Sequence, residues 1–361
     1  MPLSITEGIH PAITIRTLDH LDPCSELGQQ WEELVRNNPA SGIMQSLHWQ
    51  AAKRRQGLPS MHLGVFLDQR LLGGAIFYAS HHKSAASILV APEGPVLSWA
   101  DRACTTEALR LMIDAAQEHA NMIGAIAMRI EPRLVPPMHP VLREFVRAPL
   151  DLVPQETLYI DLSLPAEMLL QSMKPKGRYN IKLALRHGVV VREDKTDSSV
   201  DRFYSVMKEA SLRDGFALEP LAFFENLAAV LCARGCARFL FVEHAGDTLG
   251  ALMLVWYGNR ATYLYGGTTD TKRYLMGGYA LQWAAMQAAQ QEGCQIYDFY
   301  GFDAFRSPEH PYARFSQFKS QFGGTAMRFI GAQEYFFLDN LADRIIRVVN
   351  ETARSTPSEV C

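Results

Sequence analysis

A lysine lies inside a strongly aromatic segment near the end of the chain. In "FSQFKSQFGG", Phe315, Phe318 and Phe322 recur at the spacing of one helix face, and the two glycines that follow predict its end. Lys319 borders this apolar stripe. Two interpretations are open: its stem packs on the rings while the ammonium reaches water, or the charge is held in a partly dry cleft for a purpose.

A second set of residues that could take part in binding is a stripe of basic side chains. Pro175 and Gly188 bracket a predicted helix, on which Arg178, Lys182 and Arg186 fall at i, i+4 and i+8. With three further basic residues nearby, this is the densest positive patch in the sequence. The patch is either a solvated helix face or a set of point charges that contacts a phosphate backbone, as binding of tRNA would require.

Length and composition limit the classes of protein to which this chain can belong. It has 361 residues, of which 48% are hydrophobic and 20% are charged, and this length favours two domains. The formal net charge of -3 provides no global basic field, so a polyanion would need a local patch. We find neither a signal-peptide pattern nor an apolar run long enough to span a membrane, and we expect a cytoplasmic protein.

The cysteine pattern gives no indication of a metal site. The six cysteines are scattered, and although Cys232 and Cys236 are close together, no second pair or histidine pair completes a zinc set. We therefore expect reduced, mostly buried thiols and no metal.

The order of predicted elements occurs twice along the chain. A hairpin at 62–78 and another at 238–257 are each followed by an apolar strand, an amphipathic helix and a closing strand, at 125–132 and 295–301 respectively. The repetition indicates two copies of one domain, while two unrelated α/β modules remain the alternative.

The mixed order of strands and helices predicts an α/β fold with a mixed sheet in each domain. This order resembles the acyltransferase fold of the Gcn5-related family, whose members bind an acyl donor where two parallel strands splay. Members that use acetyl-CoA carry a glycine-rich loop whose N–H groups hold the pyrophosphate. Here the matching stretch, "TDTKRYLMGGYA", has Arg273 and the pair Gly277-Gly278 at the wrong spacing, which weakens a coenzyme A interpretation.

Several segments together resemble the FemABX family, the aminoacyl-tRNA-dependent transferases that build peptidoglycan cross-bridges. The similar segments, in the family's order, are "MQSLHWQAAKRRQG", "EGPVL", "RYNIKLALRHGVVV", "TYLYGGTTD", "YDFYGF" and "FKSQFGG". The resemblance implies two tandem Gcn5-related domains, at 1–155 and 156–330, with the segment 331–361 packing back on the first. No heptad run is present, so the family's coiled-coil arm is not expected.

The resemblance also implies a reaction. Members of the family move an amino acid from the ester of its tRNA to an amine, commonly on a nucleotide- or lipid-linked peptidoglycan precursor, without a cofactor or metal. Lys319 would then stabilise the oxyanion or the departing ribose oxygen. Asp298 would take the proton from the amine, although a structural role for it is equally open, and Glu131 and Asp303 are weaker candidates.

On the acceptor side, the resemblance assigns the phosphate contact to Lys53, four residues after Trp49. Tyr263 and Tyr265, which alternate along a strand and so should share one face, would line the peptide groove. Phe318 would border the catalytic ammonium. The set of residues expected to bind substrate is Lys53, Trp49, Tyr263, Tyr265, Arg213 and Phe318.

One departure from the family pattern bears on the acceptor. Where the family has an arginine before a proline, this sequence has Glu219, and a carboxylate repels a diphosphate. Arg213 lies six residues upstream and is a possible substitute. The acceptor is therefore either a peptidoglycan precursor or a different amine, such as an antibiotic. An acyl-CoA-dependent transferase and a non-catalytic binding module are the remaining alternatives.

The last segment, "FLDNLADRIIRVVNETARS", predicts an amphipathic helix. Docking on the first domain is the default expectation for it. Contact with the inner face of a membrane, near a lipid-linked substrate, is the alternative.

Overall fold

The computed structural model describes residues 13–18, 21–80, 87–304 and 312–337, which form two seven-stranded mixed sheets with helices packed on them. The predicted α/β fold with mixed sheets is confirmed. The predicted C-terminal amphipathic helix lies outside the described residues.

The first sheet has the strand order β1-β2-β3-β4-β5-β14-β6. Its neighbours are antiparallel except β4 and β5, which are parallel and therefore require a crossover. The strands are β1 (Ile13–Thr17), β2 (Ser60–Leu67), β3 (Arg70–Ser80), β4 (Ser87–Pro92), β5 (Ala125–Glu131), β6 (Val146–Arg147) and β14 (Gln333–Phe336).

The first domain carries three described helices: α1 (Glu26–Asn37), α2 (Leu47–Arg55) and α3 (Arg102–Ile123). Helix α3 makes the crossover between β4 and β5. Its N-terminus is capped by the side chain of Asp101, and it ends at Gly124, whose φ of 70° is the left-handed conformation that glycine adopts without steric cost.

The second sheet has the order β13-β7-β12-β11-β10-β9-β8, in which only β11 and β12 are parallel. Its strands are β7 (Glu156–Asp161), β8 (Val190–Glu193), β9 (Ala237–His244), β10 (Asp247–Tyr257), β11 (Arg260–Thr268), β12 (Ile296–Asp298) and β13 (Thr325–Arg328). Its described helices are α4 (Ala166–Ser172), α5 (Pro175–Arg186), α6 (Ser199–Asp214), α7 (Leu221–Leu231), α8 (Gly277–Gln291) and α9 (Ala313–Lys319).

The two sheets have matching topologies. In the first, β2, β3, β4, α3 and β5 follow one another; in the second, β9, β10, β11, α8 and β12 do so with the same pairings. The predicted repetition of hairpin, strand, helix and strand is therefore present in the structure.

Strands β14 and β7 occupy matching positions in the two sheets, each beside the last strand of the repeat. Strand β7, which follows the first repeat in sequence, lies between β12 and β13 of the second sheet. Strand β14, which follows the second repeat, lies between β5 and β6 of the first sheet. Strand β7 thus begins the second domain, whereas β14 returns the chain from the end of the second domain to the first sheet.

A hydrophobic core continues across the domain boundary. One cluster of buried side chains combines Trp31 and Ile76 of the first domain with Phe203, Phe224 and Met253 of the second. Because both domains contribute to it, their separation would expose large apolar side chains, and this fixes their relative placement.

Among the described residues, no helix combines the length and the apolar character needed to cross a bilayer.

Candidate active site

Four alternating charges lie buried where the two domains meet. Arg133, just after β5, donates to Asp298 Oδ2 at 2.6 Å and lies 3.6 Å from Glu93. Arg260 donates to Glu93 Oε1 at 2.6 Å and lies 4.0 Å from Asp298 Oδ2. Each domain supplies two members of this interdomain charge ring, and every charge in it has an opposite neighbour.

Asp298, the sequence's candidate for a general base, belongs to this ring. It is fully buried, and besides Arg133 it accepts hydrogen bonds from the Thr157 hydroxyl and, at 2.9 Å, from the backbone N–H of Tyr300. Its base role stays a prediction; the geometry fits a fixed anion that orders the end of β12.

Sequence reasoning did not identify Glu93, Arg133 and Arg260 as members of the site. They lie in three separate segments, each beside an apolar strand, and only the fold brings them together. A charged residue at the end of a buried strand is the one local pattern that could have drawn attention to them.

Lys319 is 5% exposed and lies at the last turn of α9. Its Nζ donates to the carbonyl oxygens of Phe299, Tyr300 and Gly301, at 2.9, 2.8 and 2.6 Å. Three acceptors match the three protons of an ammonium. Burial lowers the pKa of Lys319 to about 7, and the negative charge of Asp298 opposes that shift. Its catalytic role stays a prediction.

This ammonium lies where the two parallel strands separate. Strands β11 and β12 pair only from Arg260 to Thr262. Beyond that point Lys319 Nζ bonds the chain that continues from β12, and it lies 5.6 Å from the ring centroid of Tyr263 on β11. The position at which a Gcn5-related fold opens for its acyl donor therefore holds a lysine here.

The helix that carries Lys319 is shorter than predicted. Helix α9 ends at Lys319, and a 3₁₀ turn continues to Phe322 before Gly323 and Gly324, whose φ values of 77° and 84° end it. Phe318 and Phe322 pack on Tyr279, whereas the ring of Phe315 lies 6.5 Å from Phe216.

Tyr263 and Tyr265 do not share one strand face, and that expectation is wrong. The register of β11 against β10 shifts at Leu264, so that Met253 faces Tyr265 while the next residue, Leu254, faces Tyr263. Such a β-bulge breaks the two-residue alternation. Tyr265 consequently packs on Phe224 in the interdomain core, and Tyr263 lies on the opposite face beside Phe299.

Lys53 lies on α2 where this helix contacts α7. It is half-buried, with Nζ 4.6 Å from the ring centroid of Phe223 and 5.3 Å from that of Trp49. Burial lowers the pKa of Lys53, while the carboxylate of Glu219 raises it. Trp49 is buried, and its indole N–H has no hydrogen-bond partner within the described residues. This contact thus places the Lys53 cation beside two aromatic rings.

Arg213, the proposed substitute for the missing phosphate ligand, is already engaged. Its guanidinium donates to Asp214 at 2.7 Å, to the Thr268 carbonyl at 2.5 Å and to Asp270 at 3.4 Å. The hydrogen bond that Arg213 donates to the Asp214 carboxylate is the main cause of the raised pKa of Arg213. A phosphate would therefore have to compete with two carboxylates for the guanidinium of Arg213.

The basic helix is present as α5, but its three cations differ. Arg178 is half-buried and donates to the carbonyl of Met173 and, at 3.2 Å, to that of Gln171, so it caps the end of α4. Lys182 and Arg186 are exposed and available to a polyanion.

Glu131 and Asp303, the two weaker candidates for the general base, are both buried. Glu131 accepts from the backbone N–H groups of Leu152 and Val153, and burial raises its pKa to about 7. Asp303 is buried, and its backbone N–H donates to the Ser316 hydroxyl at 2.8 Å.

Metal ligands do not cluster in the part of the chain that the structure covers: no group of three His, Cys, Asp or Glu side chains is placed to hold an ion. The five described cysteines are unpaired; Cys294 is buried, and Cys24 is exposed, in contrast to the expectation of mostly buried thiols.

The degraded coenzyme A loop forms the turn before α8. Lys272 and Met276 have φ values of 48° and 57°, and the basic side chains are paired, Lys272 with Asp247 at 2.6 Å and Arg273 with Asp270 at 3.3 Å. A pyrophosphate would have to displace these carboxylates before it could contact either cation.

Comparison with known proteins agrees with this architecture. Residues 172–314 match an acetyltransferase (GNAT) domain family. The chain is 20% identical to the lipid II:glycine glycyltransferase of Staphylococcus aureus strain MRSA252 over 85% of this chain and 91% of that one. The same enzyme from strain N315 is 20% identical over 89% of this chain and 94% of the relative.

Solved structures give the same result for the fold. A crystal structure of FemX superposes with a TM-score of 0.77 at 20% identity, covering 88% of this chain and 98% of the other. A tandem GNAT protein from the clavulanic acid biosynthesis pathway gives a TM-score of 0.56 at 12% identity, covering 90% and 98%. The two tandem Gcn5-related domains and the resemblance to FemABX transferases are therefore confirmed, and the relatives agree with the expectation of a transferase.

Proposed function

We propose that this protein is an acyltransferase that moves an amino acid from aminoacyl-tRNA to an amine of a peptidoglycan precursor. The observation that carries the proposal is its likeness to lipid II:glycine glycyltransferases over 85% of this chain and 91% of theirs, because such coverage includes both domains.

The chemistry needs two reactants held together and a place for negative charge. The amine nitrogen attacks the ester carbonyl and forms the C–N bond. The carbonyl oxygen becomes an oxyanion until the bond from carbon to the ribose oxygen breaks. The proton lost by the amine ends on that ribose oxygen, so an amide and a free tRNA hydroxyl are formed.

In its protonated form, Lys319 supplies positive charge at the opening between β11 and β12, in a region from which its burial excludes most water. Its charge acts on the oxyanion through space, since all three of its protons are held by carbonyl oxygens. Asp298 and its partner Arg133 hold the end of β12 in place.

Lys53 holds an anionic group of the acceptor. Phe223, which lies 4.6 Å from the ammonium, gives the acceptor an apolar wall. The exposed Lys182 and Arg186 on α5 provide the charges for the tRNA backbone.

Two features disfavour acyl-CoA as the donor. The opening between the parallel strands holds Lys319, and the cations of the turn before α8 are paired with carboxylates. A pantetheine arm would displace Lys319 from this opening. A pyrophosphate would compete with the carboxylates of Asp247 and Asp270 for the cations of the turn. We propose that the enzyme acts beside the inner face of the membrane if its acceptor is lipid-linked.

The test is a transfer assay with the full-length protein. A mixture of labelled aminoacyl-tRNAs is incubated with nucleotide-linked and lipid-linked muropeptides in separate reactions, and the product is identified by mass. A parallel reaction replaces aminoacyl-tRNA with labelled acetyl-CoA. We expect an aminoacylated precursor from the first and no product from the second. Acetyl transfer without aminoacyl transfer would overturn the proposal.

A further inference from the structure

The residue held by the Lys319 ammonium has an unusual backbone conformation. Tyr300 has a φ of 48°, in the left-handed region that residues with a side chain rarely adopt. It lies two residues after the end of β12 and precedes Gly301, whose φ of 79° continues the turn. Such strain persists where the surroundings determine the conformation more strongly than the residue itself does, and it is commonly found at functional sites.

Four hydrogen bonds from buried groups fix this turn. Lys319 donates to the carbonyls of Phe299, Tyr300 and Gly301, and the N–H of Tyr300 donates to Asp298 Oδ1 at 2.9 Å. Asp298 is itself held by Arg133. Two elements of the candidate site, the lysine and the charge ring, therefore act on the same residue.

The side chain of Tyr300 ends in an unused polar group. The residue is half-buried at the edge of the interdomain core, and within the described residues its hydroxyl has no hydrogen-bond partner. Tyr265, half-buried on the same side of the second sheet, also has a hydroxyl without a partner among the described residues.

The electrostatic surroundings keep the Tyr300 phenol protonated. Burial raises its pKa well above the ordinary value, and the nearby Glu93, Tyr265 and Tyr312 raise it further, while Arg133 acts in the opposite direction. The groups that influence it come from both domains, which places the phenol at their boundary. A protonated phenol on a fixed backbone is a hydrogen-bond donor that needs no reorganisation when charge develops.

We infer that the Tyr300 hydroxyl contacts the reacting ester and donates a hydrogen bond to its developing oxyanion, and that Lys319 and Asp298 position it. This inference rests on the proposed aminoacyl transfer. It assigns the direct contact to a residue whose own carbonyl oxygen accepts a hydrogen bond from the lysine, because the lysine has no proton left for the substrate.

The first test is Tyr300→Phe, which removes the hydroxyl and keeps the ring. We expect kcat to fall about 100-fold, as for loss of one oxyanion donor, with KM for both substrates changed less than about threefold. Tyr335→Phe is the matched control, since Tyr335 is a half-buried tyrosine at the far strand β14. Full activity of Tyr300→Phe would overturn the inference.

The second test separates positioning from direct action. Lys319→Met should lower kcat, and combining it with Tyr300→Phe should lower kcat little further, because a misplaced hydroxyl is already lost. Multiplying effects would overturn the positioning role.

If Lys319→Met does not fold, Gly301→Ala serves the same purpose. A Cβ there would lie 2.7 Å from the Tyr312 ring at a φ of 79°, which distorts the turn while keeping the lysine. We expect a fall in kcat that Tyr300→Phe does not deepen. Failure of the wild type to transfer an amino acid would reject the proposed function; an active wild type with an equally active Tyr300→Phe would reject this inference alone.

Discussion

The guanidinium of Arg133 reaches across the domain boundary and donates to the carboxylate of Asp298 at 2.6 Å, with both side chains almost completely buried. This contact joins the end of β5 in one repeat to the end of β12 in the other. It couples the relative placement of the domains to the conformation of the turn that follows Asp298.

Removal of one partner of this pair should be costly. We expect Asp298→Asn to lower the free energy of unfolding by about 3–5 kcal/mol, because Arg133 is left buried with less compensation. Urea denaturation monitored by tryptophan fluorescence measures the change. The double variant Arg133→Met with Asp298→Asn should recover part of the loss, since the pair Glu93–Arg260 stays neutral. An additive loss in the double variant would contradict the coupling.

Because Lys319 is buried, we expect the free energy of unfolding to depend on pH in the alkaline range. Its folded-state pKa of about 7 lies below the ordinary value of 10.5, so between these values the unfolded chain binds more protons. The stability of the wild type relative to Lys319→Met should therefore rise with pH through that window, by up to about 1.4 kcal/mol per pH unit. Denaturation at pH 6, 8 and 9 gives the slope. A constant difference would show that the lysine keeps its proton throughout.

His62 predicts a loss of stability in acid. Its ring lies 4.1 Å from Trp31, both ring nitrogens are buried without partners in the described part of the chain, and burial lowers its pKa to about 3. The unfolded chain protonates near 6.5, so stability conferred by neutral burial falls as pH drops from 6.5 towards 3, by about 1.4 kcal/mol per unit. His62→Phe should flatten this slope in urea denaturations from pH 7 to 4. An unchanged slope would locate the acid sensitivity elsewhere.

The charges of Lys53 and Glu219 lead to a prediction about the charge of the acceptor. Lys53→Met should raise KM for an anionic acceptor about tenfold with little change in kcat, because uniform binding is lost. Glu219→Arg should lower KM for a diphosphate-linked acceptor by removing a repulsive carboxylate and adding a cation. Initial rates with precursors that keep or lack the diphosphate measure both effects. If Glu219→Arg does not distinguish the two acceptors, the diphosphate is not bound beside Lys53.

The exposed part of α5 predicts the salt dependence of tRNA binding. Replacing Lys182 and Arg186 with alanine should weaken binding and reduce the slope of log K against log salt by about two. Filter binding at several salt concentrations measures it. The control replaces Arg102 and Arg143, two exposed arginines of the first domain. An equal effect in the control would mean that the charge of α5 has no special role.

The regular parts of this fold follow from sequence patterns. The apolar runs of β2–β3 and β9–β10, each interrupted by a polar turn, and the helical patterns of α3 and α8 report local burial, so the two repeats could be identified without a structure.

The site was harder to predict because it depends on long-range placement. The bulge at Leu264, which separates Tyr263 from Tyr265, leaves no mark on an alternating sequence. The pairing of Arg133 with Asp298 joins residues 165 positions apart. Lys319 could be singled out from its aromatic neighbours, but its three carbonyl partners depend on the turn after β12.

The position of β14 in the first sheet has a consequence for how this polypeptide folds during its synthesis. The first sheet has a gap between β5 and β6 until residues 333–336 have left the ribosome, although its other strands are made far earlier. The first sheet therefore stays incomplete until the carboxyl-terminal half has been synthesised. This differs from the domain-by-domain folding that is common in multidomain chains. A premature stop before residue 333 would leave unpaired strand edges and a protein that a quality-control protease should remove.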